Sequence, residues 1–296
     1  MRKAKKGTIL LVAFSRPKLL SQVLESIQTA NSSSLPILVI FQKGNNEVLE
    51  ILEKNLTSKD YLFQVPGESR TTVNNISFNR FLGYDFAFQF LESEYVLAFE
   101  DDVLVSKDIL YFSEYIFDKY QGNKRFRGIN FGSHESYSLE SSNLYSLQRF
   151  GIHGPASGIT ASTWAHFKNQ KLIEKAKQGL FDGIFEPFIR SGFMVTPTNS
   201  RFLDLGIGGT HTSSNATDPY FERMQKSFVG NFVLNKEFQI HKAKHSWRSD
   251  VFSYSKWENP LFDVLSFLGE RRNFRFFRKL ERAVYKVFIL PRTTNR

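Results

Sequence analysis

Tyr95-Val96-Leu97-Ala98-Phe99-Glu100-Asp101-Asp102-Val103 is an apolar run of strand length that ends in three consecutive carboxylates and then turns apolar again. Acids in that position do not belong to an ordinary solvated face. Carboxylates gathered at the end of a buried strand repel one another. A divalent cation is the usual reason to hold them there, because hard ions take carboxylate oxygen. The competing reading is a solvated turn, or a helix N-terminus stabilised by acids.

Upstream of this stretch, strands and helices alternate. Thr8 to Phe14 reads as a buried strand, Ser15-Arg16-Pro17 as a turn with Pro17 at the first helical position, and Leu19, Leu20, Val23, Leu24 and Ile27 as one apolar helix face. Leu35 to Phe41 is the expected second strand, with Val48, Ile51, Leu52 and Leu56 marking the second helix. A weaker strand near Tyr61 to Val65 precedes a long, Phe-rich helix from about Asn74 to Glu92. A further helix is expected through Ile109, Leu110, Phe112, Ile116 and Phe117. Such alternation predicts an α/β fold, a mostly parallel sheet with helices on both faces. Ligands of such sheets bind at the carboxyl ends of the strands, where both Ser15-Arg16-Pro17 and Glu100-Asp101-Asp102 fall. There is no G-x-G-x-x-G after the first strand and no G-x-x-x-x-G-K-[ST] anywhere, which argues against a dinucleotide fold and a P-loop NTPase.

Beyond about residue 130 the pattern becomes irregular. Turn-rich Ser133 to Ser146 leads to Gly151-Ile-His-Gly-Pro-Ala-Ser-Gly-Ile-Thr160, whose glycines would let backbone approach a ligand. A helix through Trp164 to Phe167 and the segment Asp182-Gly-Ile-Phe-Glu186 follow. Strand-like Phe193 to Pro197 and Phe202 to Leu205 then lead into the Gly/Ser-rich loop Gly206 to Asn215, a candidate lid.

With 296 residues and 41% hydrophobic composition, the chain can bury a substantial core. It has no cysteine, which excludes disulfides and thiolate metal sites and suits a reducing cytoplasm. No apolar run approaches the roughly 18 residues of a membrane span. The basic start Met1 to Lys6 and the apolar residues after it read as a strand rather than a signal peptide, because a helix signal follows with no small-residue cleavage site. The net charge of +10 is concentrated at the ends: residues 271–296 carry nine basic side chains and one acidic, and residues 1–6 carry four basic. The body between them is slightly acidic, which excludes a distributed nucleic-acid groove.

Together these residues resemble the nucleotide-sugar-dependent glycosyltransferases of the GT-A fold, most closely the inverting N-acetylglucosaminyltransferase I type. Glu100-Asp101-Asp102-Val103 matches that family's metal motif, with Ser106-Lys-Asp108 and an aromatic helix after it. Gly154-Pro-Ala-Ser-Gly158 followed by Trp164 corresponds to its acceptor-side segment. Counting back ungapped from Arg190-Ser-Gly192 and Pro197, Asp182 falls where the family carries its catalytic base. The match spans roughly residues 7 to 215. This chain departs from the family in having Phe181-Asp182 for a pair of aspartates, and Lys43 for an acidic residue expected near the nucleobase.

The resemblance implies Asp102 as the direct ligand of Mn2+ (or Mg2+), Asp101 as support for the ribose or metal waters, and Glu100 as the residue positioning the motif. Such an ion would neutralise the departing diphosphate of a nucleoside-diphosphate sugar. Asp182 would take the acceptor hydroxyl's proton as it attacks the anomeric carbon; the alternatives are Asp182 as a helix N-cap and Glu186 as the base. Arg16 and Lys43 would meet phosphate or nucleobase, or be surface charge. His211 would reach the diphosphate or metal from the lid, or sit in solvent. His153 and Trp164 would line an acceptor pocket, although Trp164 is more readily core.

Residues 271 to 296 form a distinct case. At helical spacing Phe274, Phe277, Leu280, Val284, Val287 and Phe288 share one half of a helix, and Arg271, Arg272, Arg275, Arg278, Lys279, Arg282 and Lys286 the other. This suits a helix lying in an anionic membrane interface, with a helix docked on the domain as the alternative.

The expected organisation is therefore a GT-A-type α/β domain. Residues 1–125 are its nucleotide-sugar half, 126–258 its acceptor and catalytic half, and 259–296 a basic amphipathic tail. The expected activity is metal-dependent, inverting transfer of a sugar to a glycan or lipid-linked acceptor at the cytoplasmic face of a membrane, without nucleic acid. Two alternatives are a sugar-phosphate nucleotidyltransferase, disfavoured by the lack of a Gly-rich phosphate loop, and a non-catalytic carbohydrate- or anion-binding protein.

Overall fold

The computed structural model describes residues 6–31, 35–66, 72–120, 122–132, 145–148, 155–168, 192–197, 199–206 and 228. The chain divides into two compact units, Met1–Ala243 and Lys244–Arg296. All described residues lie in the first.

Strand and helix alternate as the hydrophobic periodicity predicts. β1 (Gly7–Ala13) leads into α1 (Pro17–Ala30), β2 (Ile37–Gln42) into α2 (Asn46–Asn55), and β3 (Tyr61–Val65) into α3 (Thr72–Gln89). β4 (Tyr95–Glu100) carries the acids at its end and is followed by short β5 (Val103–Val105) and α4 (Ile109–Tyr120). Then come β6 (Phe126–Asn130), β7 (Tyr145–Gln148), β8 (Ala156–Thr160), α5 (Ala161–Lys168), β9 (Phe193–Pro197) and β10 (Phe202–Asp204). Among the described residues, no helix is long and apolar enough to cross a membrane.

The main sheet has the order β3-β2-β1-β4-β8-β6-β9-β7, and β5 and β10 form a separate antiparallel pair. β1, β2, β3 and β4 are mutually parallel, as are β6 and β9. β8 runs antiparallel between β4 and β6, and β7 antiparallel to β9. The sheet is thus the mostly parallel α/β sheet expected.

Helices cover both faces, and the alternation along each strand shows why. Ile9, Leu11 and Ala13 of β1, Val39 and Phe41 of β2, and Leu97 and Phe99 of β4 pack with Leu20, Leu24, Val48, Leu52 and Ile116, on the side of α1, α2 and α4. The intervening Leu10, Val12, Leu38, Ile40, Val96 and Ala98 pack with Phe81, Tyr84, Phe88, Trp164 and Phe167, on the side of α3 and α5. Both faces of the central strands are therefore apolar, as a sheet buried on both sides demands. Each fully buried Leu, Val or Phe of these layers contributes about 1.5–3 kcal/mol.

Two expectations for the second half are corrected. The stretch beyond residue 130 is not simply irregular: Ala156–Thr160 is β8, a central strand of the sheet, while β9 is the strand expected at Phe193 to Pro197. Gly158, read as a place for close ligand approach, is in β8, where a Cβ would lie 3.0 Å from Leu97 Cδ2 and 3.2 Å from Phe117 Cζ. Its missing side chain makes room for the core. Trp164 is fully buried and tilts against Phe81 and Tyr84 with ring centroids 5.4 Å apart in each case. It is core rather than a sugar platform.

Candidate functional site

The parallel strands β1, β2 and β4 end side by side, and register fixes what meets there. Val12 is level with Glu100, so the turn after β1 faces the acids after β4. The Phe14 amide donates to Asp101 Oδ2 at 2.8 Å, tying the two strand ends together. Three residues on, Pro17 starts α1 and leaves Arg16 at the N-cap, where its side chain makes no cap hydrogen bond. That side chain turns instead to Asp102, and its Nη1 donates to Asp102 Oδ2 in a short ion pair.

Glu100 follows a different course. It continues the alternation of Val96 and Ala98 and so falls on the α3 face, where it accepts from Arg80 Nη2 at 3.1 Å. The three acids are therefore separated by the strand geometry. Glu100 is held to α3, Asp101 to the β1 backbone, and Asp102 by Arg16 in the crevice.

A second strand brings a fourth carboxylate. β10 pairs with β5 with Asp204 opposite Val103, and the Leu205 amide donates to the Asp102 carbonyl at 2.7 Å. Asp204 thereby comes close to Asp102, with its Oδ1 accepting from the Gly206 amide at 2.7 Å. A Cβ on Gly206 would lie 2.5 Å from Asp102 Oδ2, 2.9 Å from Asp204 Oδ1 and 3.2 Å from Arg16 Nη1. A larger residue here would push these three side chains from their positions.

The strand carrying Asp204 is anchored from below by Arg201 and Asp108, an ion pair at 3.0 Å with both side chains 2% exposed. Ser106 Oγ donates to Asp108 Oδ1 at 2.6 Å, the Ser106 amide to the Arg201 carbonyl at 2.9 Å, and the Arg201 guanidinium lies over the Phe112 ring. Burial works against the charge on both partners, and their mutual attraction opposes it.

Crowding of buried acids shows in their proton affinities. Burial pushes the Asp101 carboxyl up to about 6, with the Phe14 amide opposing and the Asp102 charge reinforcing the shift. Asp204 is likewise pushed up to about 6, by burial first and then by the Asp102 charge, against the Gly206 amide and Arg16.

Whether these residues suit a divalent cation can be tested on Asp102 itself. Among the described residues its buried Oδ1 has no hydrogen-bond partner, which is costly for a carboxylate oxygen unless something else meets it. Among the described residues, no three acidic or histidine side chains gather to hold a metal ion by themselves. An ion of the Mg2+ type does not need such a cage, because it binds through one or two carboxylates together with phosphate oxygens and water. Asp102, with Asp204 beside it, fits that donor set.

Lys43 lies just past the end of β2 in an exposed turn, its amide donating to the Val65 carbonyl at 2.8 Å. Asp182, Glu186, His153, His211 and the tail from Arg271 lie outside the described residues. Asp204 and Arg80 are not among the residues the sequence points to, and Gly206 enters there only as the start of the candidate lid. For Asp204 a signal was present, since Phe202-Leu203-Asp204 repeats on a small scale the pattern of an apolar strand ending in acid.

Fold and site together define an α/β protein with an anionic crevice, containing one arginine, at the carboxyl ends of β1 and β4. No family model matches the chain, and no curated protein matches it. Among solved structures it is similar to the mannosyltransferase PcManGT from Pyrobaculum calidifontis in complex with GDP-Man and Mn2+, with 12% identity and a TM-score of 0.37, covering 59% of this chain and 47% of that one. It is also similar to mannose-1-phosphate geranyltransferase from Thermus thermophilus, with 11% identity and a TM-score of 0.39, covering 65% and 73%. A third is the glycosyltransferase GlyE of Streptococcus pneumoniae, with 15% identity and a TM-score of 0.37, covering 64% and 44%. The chain thus spans less than half the length of two of these three.

Proposed function

We propose that the chain is a metal-dependent, inverting glycosyltransferase of GT-A type, moving a sugar from a nucleoside-diphosphate sugar to a hydroxyl of a glycan or lipid-linked acceptor. The observation that carries this reading is the crevice in which Arg16, Asp102 and Asp204 meet, with Asp102 Oδ1 buried and unpartnered among the described residues. A diphosphate presents the complement of that crevice, since its oxygens accept from a guanidinium and share a divalent ion with a carboxylate.

In this reading Asp102 holds Mn2+ or Mg2+, with Asp204 as the nearby second carboxylate. When bound, the ion supplies Lewis-acid stabilisation of the charge that builds on the leaving diphosphate. Arg16 binds the same diphosphate and orients the anomeric carbon, while Asp101 keeps the ends of β1 and β4 together beneath the donor. Lys43, beyond the end of β2, would meet the nucleotide. By the resemblance drawn above, Asp182 accepts the acceptor hydroxyl's proton as the new glycosidic bond forms and the bond to the diphosphate breaks, which inverts the anomeric centre. His211 would close over the donor from the loop beyond Gly206. The basic tail would hold the enzyme on an anionic membrane surface at its cytoplasmic face.

The test is a screen of nucleoside-diphosphate sugars for thermal stabilisation that depends on Mn2+. Stabilisation by one donor, lost in Asp102→Asn, is expected. No stabilisation by any donor with Mn2+ overturns the assignment. Pyrophosphate release from a nucleoside triphosphate and a sugar 1-phosphate would point instead to a nucleotidyltransferase.

A further inference from the structure

Arg16 and a divalent cation compete for Asp102, because both are positive and the carboxylate carries a single charge. The guanidinium takes Oδ2, and an ion on the remaining Oδ1 would set a second positive charge close to it. Meanwhile the Arg16 backbone is fixed: its carbonyl accepts from the Leu20 amide at 2.9 Å as the first bond of α1. The side chain alone can move, and with 27% of its surface exposed it has a path to solvent.

We propose that Arg16 is a resident counter-cation, holding Asp102 in the donor-free protein and leaving it when a divalent ion and a diphosphate arrive together. This rests on the reading of Asp102 as the ligand of that ion. The physical case is an exchange of partners. A cation binding alone sets its charge against that of Arg16, and a guanidinium displaced by it has only the neighbouring Asp204 carboxylate or water to go to. When a diphosphate binds as well, Arg16 gains phosphate oxygens, for which its planar fork is well suited. Cation and diphosphate therefore bind with positive coupling, and by linkage each raises the other's affinity by the same factor. The arrangement also keeps the crevice from gathering cations when no donor is present, while sparing Asp102 an unopposed charge.

The exchange can be read without any turnover, by titrating the full chain with Mn2+ alone and following the free ion by electron paramagnetic resonance. Arg16→Gln, which keeps a polar side chain but removes the charge, is expected to bind Mn2+ about tenfold more tightly than the wild type, an effect of about 1.4 kcal/mol. Arg16→Lys, which keeps the charge, is expected to bind no more tightly than the wild type. Unchanged or weaker Mn2+ binding in Arg16→Gln overturns the inference, as does equal tightening in Arg16→Lys. Asp102→Asn distinguishes the two levels of the argument. If it loses Mn2+ binding while Arg16→Gln shows no gain, the counter-cation is wrong and the metal ligand stands. If it binds Mn2+ as the wild type does, the metal reading itself falls, and the inference with it; if no form binds Mn2+ alone while the wild type binds it with a nucleoside diphosphate, the metal ligand stands and the counter-cation is wrong.

Discussion

Gly206 lies against Asp102 so closely that a Cβ there would come within 2.5 Å of Asp102 Oδ2. The contact exists because β10 pairs with β5 and the Leu205 amide reaches the Asp102 carbonyl. The backbones of both residues are fixed by that pairing, so a side chain added at Gly206 would have to be accommodated by the Asp102 carboxylate.

The Gly206→Ala variant should therefore push the Asp102 carboxylate or the end of β10 aside. Overpacking of this kind costs about 1–3 kcal/mol. A lowered melting temperature, together with loss of Mn2+-dependent stabilisation by nucleoside diphosphates, is expected. Wild-type behaviour in both measurements would show that the approach is not needed.

Asp204 gives a pH signature. Its folded carboxyl is raised to about 6 from an ordinary 3.8, so between those values the folded protein binds more protons than the unfolded chain. The stability this contributes is fully present below pH 3.8 and is lost as pH rises through about 6. In metal-free protein kept in chelator, Asp204→Asn should melt higher than the wild type at about pH 7.5 and equal to it near pH 4. Asp101, which titrates in the same window, and Asp108, also raised by burial, contribute to the decline that remains. A destabilised Asp204→Asn at the higher pH would contradict this account. The same variant should bind Mn2+ more weakly.

The buried Asp108–Arg201 pair makes a prediction about folding. Removing one partner leaves a charge buried without compensation, which costs about 3–5 kcal/mol, whereas replacing both by apolar groups of similar size is close to neutral. Arg201→Met alone should lower the denaturant midpoint strongly, and Arg201→Met with Asp108→Leu should recover most of the loss. Recovery of stability without recovery of donor binding would further show that the pair also positions β10.

For the tail the expected outcome is a change of location. Deleting residues 271–296 should abolish co-sedimentation with vesicles containing anionic lipid while leaving the melting temperature of the remaining chain unchanged. Undiminished co-sedimentation would remove the membrane reading, and a large drop in melting temperature would favour a helix docked on the domain.

Much of the first half was legible in the sequence because each element is specified locally. The continuous apolar runs of β1, β2 and β4, the helical spacing of Leu20, Val23, Leu24 and Ile27, and Pro17 after a strand are all local patterns, and β9 emerges with the residues expected for it. The second half was harder to read because β8 is short, contains Gly158, and is a strand only through its neighbours β4 and β6. Nothing in Ala156-Ser-Gly-Ile-Thr160 alone distinguishes a central antiparallel strand from a glycine-containing loop.

The site divides in the same way. The sequence alone determined that an apolar strand ends in Glu100-Asp101-Asp102 at the binding edge of an α/β sheet, because strand periodicity and the sudden switch from apolar to acidic residues are properties of neighbours along the chain. The separate fates of those acids were decided by tertiary structure: Glu100 pairs with Arg80, Asp101 accepts from the Phe14 amide, and Asp102 meets Arg16 and Asp204. Those partners lie between 20 and 102 residues away along the chain. They meet only through sheet register and the β5–β10 pairing, and long-range register leaves no mark in the local spacing of residues.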